Sequence, residues 1–447
     1  MPHSGWPITM RQLQPYYDEA AGVFGLPPGR PSAQALREAG VQMPDFDPDE
    51  IALKLWSFDP SSSRFTMKAC ADLIRHPRCT VFTHATVTSI DTDHTGRSVA
   101  SVRVRSLGGR DALVHARTFV LAAGGIENPR LLLASRSVHS GGIGNGCDLV
   151  GRFFMEHPHA RGGKVLSAKA WSLLRLFGNR HAVQGQTVAA LVSPGEKAQR
   201  REGMLNSALT IASRQPASAA QFMGMRAYNR IKHDLDPSRG ARTLWLYAKK
   251  AAMMAQKVID PARPWLLQKL GYSEMALVIR AEQAPNPASR VTLGTERDAL
   301  GMPRAQLDWR LNDLDIHSVD RLVDLLGREM KRLDGGSVVP AEWLLEPERR
   351  WQTDPMISAH PIGGYHHMGT TRMSDNPATG VVDADGRVHG VSNLYIGGSS
   401  VFPTSGWANP TFTIAALALR TADCIQRSAE SEFVIQRQNT ASRKGGA

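Results

Sequence analysis

The sequence predicts an α/β protein with a mixed α+β region in its middle, and three observations carry that prediction. "TFVLAAGGIENPRLLLAS" (118–135) reads as a buried strand, a glycine turn and a helix. "NLYIGGSS" (393–400) reads as a second strand of the same kind, with a long apolar helical pattern soon after it. Residues 80–106 are β-branched and alternate, as half-buried strands do. The 447 residues are enough for about two or three domains with a sizeable core.

Taken in order, the first element is a helix. Thr9 with Gln12 three residues on resembles a capping box, and Pro15 suits the first turn of a following helix that carries Tyr16 and Tyr17. "TVFTHATVTSI" (80–90) and "SVASVRVRS" (98–106) are strands joined by the turn "DTDHTGR". "TFVLAA" is apolar throughout, as expected of a strand covered on both faces. The glycine pair and the helix after it, with Pro129 early in the helix, bring backbone N–H groups to one point suited to an anion or cofactor. An ordinary β-turn-α connection has the same pattern.

The region from about 156 to 350 is less regular. "MALVIRAEQAPNPASRVTL" (275–293) is strand, polar loop, strand; the following segment has Val319, Leu322, Leu325, Leu326 and Met330 at helical spacing. The basic, aromatic segment 244–270 fits either a domain helix with snorkelling lysines or a contact with a membrane surface or another subunit. "NPTFTIAALALRTADCI" predicts a buried helix with Asn409 as its N-cap and Pro410 at its first position. The end, 431–447, reads as a tail.

A net charge of +12 and an isoelectric point near 9.8 favour acidic partners. Lysine and arginine are spread along the chain without blocks, so nucleic-acid binding is not the expectation. Cys70, Cys79, Cys147 and Cys424 show no C-x-x-C spacing and suggest neither a disulfide framework nor a zinc ribbon. No run of 18 apolar residues is present. A cytoplasmic location is the default expectation, with periplasmic export left open.

The chemistry centres on "GYHHMGTTRM" (364–373). His366 and His367 are neighbours and cannot share a helix face as an i, i+4 metal pair does. His360, Glu156, His157 and His159 could add ligands, but no zinc-ligand spacing emerges. For an isolated pair, two satisfied structural histidines would be the default.

The pair is not isolated. "HHMGTTRM", followed by "GVVDADGRVHGVSNLYIGGSSVFPTSGWANPTFTIAALALRTAD", closely resembles the C-terminal signature of the glucose-methanol-choline (GMC) oxidoreductases. The likeness extends to "VLAAGGIENPRLLLAS", "LVGRFFMEHPH" and "EQAPNPASRVTL", from about residue 80 to 426, with a divergent middle. It is nearest to bacterial FAD-dependent sugar and polyol dehydrogenases and to pyranose oxidases.

The resemblance implies a partial FAD-binding Rossmann-like domain joined to an α+β substrate domain. The implied divisions are 1–155 and 366–430 for the FAD-binding part, 156–365 for the substrate domain and 431–447 for the tail. It also implies oxidation of a CH–OH group of a sugar, polyol or other alcohol. His366 would accept the hydroxyl proton, Asn409 would orient the hydroxyl, and hydride would pass to flavin N5. For the cofactor it implies the backbone of Val87 at the adenine and Gly124 and Gly125 beside the dinucleotide. Gly398 and Ser399 would lie near the pyrophosphate and ribityl chain, and Pro410 and Thr411 near the flavin. The electron acceptor, whether oxygen, quinone or cytochrome, is not specified.

The imidazole chemistry is consistent with that role, because an ordinary pKa near 6.5 leaves the neutral base available at neutral pH. The family's G-x-G-x-x-G turn does not occur in the sequence; "GGIGNG" (141–146) lacks the spacing and the preceding strand. The expectation is therefore of a chain that reads as lacking its first FAD-binding segment, with "TFVLAA" and "NLYIGG" flanking a gap. The alternative expectation is a non-catalytic fragment that does not hold FAD alone and acts at most as a binding partner.

Overall fold

The computed structural model describes residues 1–216 (apart from 28, 30, 60, 62 and 63), 262–354 and 364–444, with isolated positions at 247, 251 and 254. In chain order, helix α1 (Met10–Phe24) and α2 (Ala33–Glu38) precede β1 (Ile51–Phe58) and α3 (Ala71–Arg75). β2 (Thr86–Thr92), β3 (Val99–Arg105) and β4 (Asp111–Val114) follow, then β5 (Phe119–Leu121) and α4 (Gly124–Ala134). The middle holds β6 (His159–Leu166), α5 (Ala170–Gly178), β7 (His181–Val183), β8 (Gln186–Pro194), α6 (Glu196–Glu202) and β9 (Ala208–Arg214). After α7 (Ala262–Lys269) come β10 (Glu274–Arg280), β11 (Arg290–Arg297), β12 (Pro303–Asp308), α8 (Asp313–Asp334), β13 (Ser337–Pro340) and α9 (Glu342–Leu345). β14 (Leu394–Ile396) and α10 (Thr411–Lys444) complete the fold.

Helix α1 starts where the capping box predicts: the Thr9 hydroxyl accepts from the Gln12 N–H, and the Gln12 side chain accepts from the Thr9 N–H. Pro15 lies within this helix rather than opening a second one. The missing donor is opposite exposed Arg11, whose carbonyl water can serve. Strand β2 starts only at Thr86, so 80–85 is not strand, and β2, β3 and β4 form an antiparallel meander.

The apolar strand β5 pairs in parallel with β14, Phe119 opposite Leu394 and Leu121 opposite Ile396. The two strands expected to flank a gap are thus direct neighbours. Residues of α4, β2, β3, β11 and α10 cover them in one core, in which Leu132, Leu394 and Ile396 are buried. Helix α10 packs along α1, where the Tyr16 hydroxyl donates to Asp423 at 3.0 Å and the Tyr17 and Thr413 hydroxyls lie 2.8 Å apart.

A second core belongs to a seven-stranded, largely antiparallel sheet in the order β1-β8-β9-β10-β6-β13, with β7 alongside β8. Helix α8 turns Val319, Leu322, Val323, Leu325, Leu326 and Met330 onto it. Its cap, Asn312 with Asp315, is again a reciprocal box. Residues 33–58, placed with the first unit by the sequence reading, belong to this sheet and its core. Strand β6 carries Gly162 and Gly163 because neighbours leave no room for a side chain. A Cβ at Gly163 would lie 2.2 Å from the Val339 carbonyl, and one at Gly162 2.8 Å from Ile279.

Of segment 244–270, most lies outside the described residues. Its described part, α7, places Trp265 against Trp171 of α5 with ring centroids 5.8 Å apart. The backbone of α10 continues to Lys444, through 431–444, in place of the predicted tail. Among the described residues no helix is long and apolar enough to cross a membrane, and all four cysteines are free thiols.

Candidate active site

Pro129 explains how the histidine loop is tied down. A residue at that position of α4 would normally donate to the Gly125 carbonyl, but proline has no N–H. The freed carbonyl instead accepts from the Thr370 hydroxyl at 2.7 Å. Gly125 also has to be glycine, because a Cβ there would sit 2.5 Å from the His367 carbonyl oxygen. That oxygen accepts from Ser399 Oγ at 2.7 Å. The start of α4, the end of β14 and the loop 366–371 are thus packed backbone to backbone.

Asn128, fully buried, fastens the same junction: its Oδ1 accepts from the Ala123 N–H at 2.9 Å. Its amide nitrogen donates to the Gly397 carbonyl at 3.3 Å and to Ser400 Oγ at 3.0 Å. Sequence reasoning passed over this residue; an amide one position before a helical proline was the signal available. Asn128→Ala should cost about 1–3 kcal/mol, because these partners lose their bonds inside the fold. Urea unfolding of parent and variant measures this, and equal midpoints would refute it.

Gly124 and Gly398 have φ of +84° and +99°, and a Cβ on either would meet nothing within 4 Å. Helix α4 has no side chain capping its first turn, so its initial N–H groups face the same junction. Open space, positive-φ glycines and uncapped donors fit the edge of an anionic dinucleotide. The Ser399 hydroxyl donates to the His367 carbonyl and keeps its acceptor lone pairs. Val87 is half-buried on β2, next to a bulge between Val87 and Ser89. Pro410 is buried and Thr411 exposed at the start of α10.

His366 is held by its backbone. Tyr365 takes φ +55°, and the His366 N–H then donates to Glu156 Oε2 at 2.7 Å. The other carboxyl oxygen of Glu156 accepts from the His157 N–H at 2.7 Å. Gly364 permits this approach, since a Cβ there would meet Glu156 Oε1 at 2.3 Å. His367 faces away from this role: its ring stacks on Phe154 with centroids 5.5 Å apart and its Nε2 lies 3.7 Å from Glu156.

His157 joins the two halves of the site. Its ring is 5.2 Å from that of His366, and its Nε2 is 3.0 Å from the Ala408 carbonyl. The neighbouring Asn409 accepts a hydrogen bond from Arg280 through its Oδ1. Asn409 is therefore not the N-cap. Ile414 donates to the Pro410 carbonyl at 2.8 Å, so α10 opens one residue later than predicted and the Asn409 side chain is free for Arg280.

The "AEQ" triplet supports both sides of the site. Buried Glu282 accepts from the Gly406 N–H at 3.1 Å and from the Asn206 N–H at 2.8 Å. Gln283 Oε1 accepts from the Glu156 N–H at 3.0 Å and from Trp309 Nε1 at 2.9 Å.

Burial, then the Arg280 guanidinium, then His367 lower His366 to a pKa of about 4. Burial and Arg280 likewise hold His157 well below the usual imidazole range. Both rings are therefore neutral at neutral pH. Burial pushes Glu156 up to about 7, against the pull of its two N–H donors and Arg280. Neither His366 Nδ1 nor His157 Nδ1 has a hydrogen-bond partner among the described residues, although both are buried. His360 lies outside the described residues. Among the described residues no group of three or more His, Cys, Asp or Glu could hold a metal ion.

The site thus brings together an imidazole whose Nδ1 has no partner among the described residues, an asparagine whose oxygen accepts from Arg280, and, at the start of α4, positive-φ glycines with open space around them. Residues 285–418, which include His366 and Asn409, match the family model of the GMC oxidoreductases. The likeness is to the C-terminal domain of that family.

It is similar to the 2-methyl-1,2-propanediol dehydrogenase of Mycolicibacterium austroafricanum, 26% identical over 97% of this chain and 76% of that protein. It is also similar to the fructose dehydrogenase large subunit of Gluconobacter japonicus, 26% identical over 77% of this chain and 53% of that one. Pyridoxine 4-oxidase from Mesorbium loti shares 16% identity with a TM-score of 0.48, covering 93% of this chain and 70% of that one.

Proposed function

We propose that this chain takes part in FAD-dependent oxidation of a CH–OH group, with a sugar, polyol or related alcohol as substrate. The observation that supports it most is a neutral, half-buried His366 near the same Arg280 that bonds Asn409. Arg280 engages the Asn409 oxygen, so the amide NH2 is what Asn409 presents to a substrate oxygen. That donor favours the alkoxide character that develops as His366 takes the hydroxyl proton. FAD, when bound, supplies the acceptor for the hydride that leaves the same carbon. Gly124, Gly125, Gly398 and the first turn of α4 are the residues that would hold its dinucleotide part, with Pro410 and Thr411 nearer the flavin. The relatives named as dehydrogenases of a diol and of fructose agree with this class of substrate.

The test is the visible spectrum of the purified chain after incubation with FAD and desalting, followed by anaerobic addition of a panel of sugars and polyols. A retained flavin band bleached by one of them is the expected result. A retained flavin that none of them reduces would sink the alcohol-oxidation reading, and a colourless protein would remove FAD binding by this chain.

A further inference from the structure

Arg280 ends strand β10 beside the catalytic candidates, attracted electrostatically by Glu156 but not bonded to it. Its Nη1 donates to Asn409, and its guanidinium lies over the ring of Trp56 at 5.2 Å from the centroid. Trp56 is in turn 6.1 Å from Trp407, whose neighbour Ala408 bonds His157. Among the described residues no carboxylate comes within ion-pairing distance of Arg280. Arg161 of the same sheet contrasts with it, held by Glu274 and Asp354 at 2.7 Å each. The Nε1 donor of Trp56 is also buried without a partner among the described residues.

The cluster therefore offers a guanidinium with no carboxylate bonded to it among the described residues, an indole donor and two indole rings, with Arg280 close enough to His366 to act on it electrostatically. A guanidinium in this setting binds a planar or tetrahedral oxyanion through its remaining N–H groups. Indole faces suit the C–H surface of a sugar ring. We propose that the substrate is an anionic carbohydrate, whose carboxylate or phosphate group is bound by Arg280 while a hydroxyl is presented to His366. This rests on the alcohol-oxidation reading for the fate of the bound molecule, but not for its binding.

The experiment is calorimetric titration of the full chain, with and without FAD, using glucose, glucuronate and glucose 6-phosphate at two ionic strengths. At least one anionic sugar should bind about tenfold or more tighter than glucose, the value of one charge-assisted hydrogen bond, and the advantage should shrink with salt. The better anion of the two identifies the group. Arg280→Gln should bring the ratio of anionic-sugar to glucose affinity down to about one. Arg280→Lys retains the charge and should keep part of the preference, which guards against a variant that merely misfolds. Equal affinity for all three sugars, no saturable binding of either anion, or an undiminished preference in Arg280→Gln overturns the proposal. Anion-selective binding without flavin bleaching would leave it standing and remove alcohol oxidation; bleaching by glucose and glucuronate alike would do the reverse.

Discussion

Replacing His366 with alanine in the FAD-loaded protein should slow flavin reduction by an alcohol about 10²–10⁴-fold, the usual contribution of a general base. The affinity for FAD should change little, because what anchors the loop is its backbone: the His366 N–H on Glu156, the His367 carbonyl on Ser399 and the Thr370 hydroxyl on Gly125. Stopped-flow reduction and a parallel FAD titration read the two effects separately. Equal reduction rates in variant and parent would remove His366 as the base.

The pH profile sharpens the prediction. The base must be neutral to accept a proton, and burial with Arg280 nearby lowers His366 to about 4. Its acid limb should therefore lie near pH 4, with the rate falling as pH drops through that value, and not near 6.5. A separate limb near pH 7 that vanishes in Glu156→Gln would belong to the buried Glu156 carboxyl, whose pKa is about 7. A limb at 6.5 that persists in that variant would contradict the electrostatics derived for this site.

Arg161→Met should lower the unfolding free energy by about 3–5 kcal/mol, because it leaves buried carboxylates without the guanidinium that faces them. Arg161 sits on β6 with its side chain 8% exposed, bonding Asp354 through Nε and Glu274 through Nη1, both at 2.7 Å. It also donates to the Gln215 carbonyl at 3.0 Å, and its own carbonyl accepts from Trp343 Nε1 at 2.8 Å. Arg214 lies close enough to be repelled by it and attracted by Asp354. Lys164, 3.3 Å from Glu274, covers only part of the loss. Equilibrium unfolding in urea measures the change. A cost below 1 kcal/mol would mean that the sheet edge relaxes enough to admit water to Asp354.

Two of the site residues were legible in the sequence only as motif matches. Asn409 was read as a helix cap because Asn-Pro before an apolar helix fits that pattern. The packed structure uses the same side chain to meet Arg280, whose strand lies 129 positions earlier in the chain. Glu156 and Gln283 carried no local signal of their roles. Each accepts a backbone N–H from a segment distant in sequence, His366 for Glu156 and Glu156 for Gln283, and no spacing rule encodes such a bond.

The sequence by itself determined the elements whose stabilising partners lie within a few residues. The Thr9–Gln12 box, the Asn312–Asp315 box and the β2–β3 hairpin are of this kind. It also determined which stretches carry the adjacent histidines and the glycines proposed for the cofactor edge. Only the tertiary structure decided the seven-stranded sheet, since β1 pairs with β8 more than 120 residues later and β6 reads as a polar, glycine-containing segment. Strand propensity depends on the neighbours a strand acquires, so such partners cannot be read one window at a time. The placing of Arg280 against Asn409 and the neutral state of His366 were settled the same way. Both follow from burial and from groups brought together by the packing of distant segments.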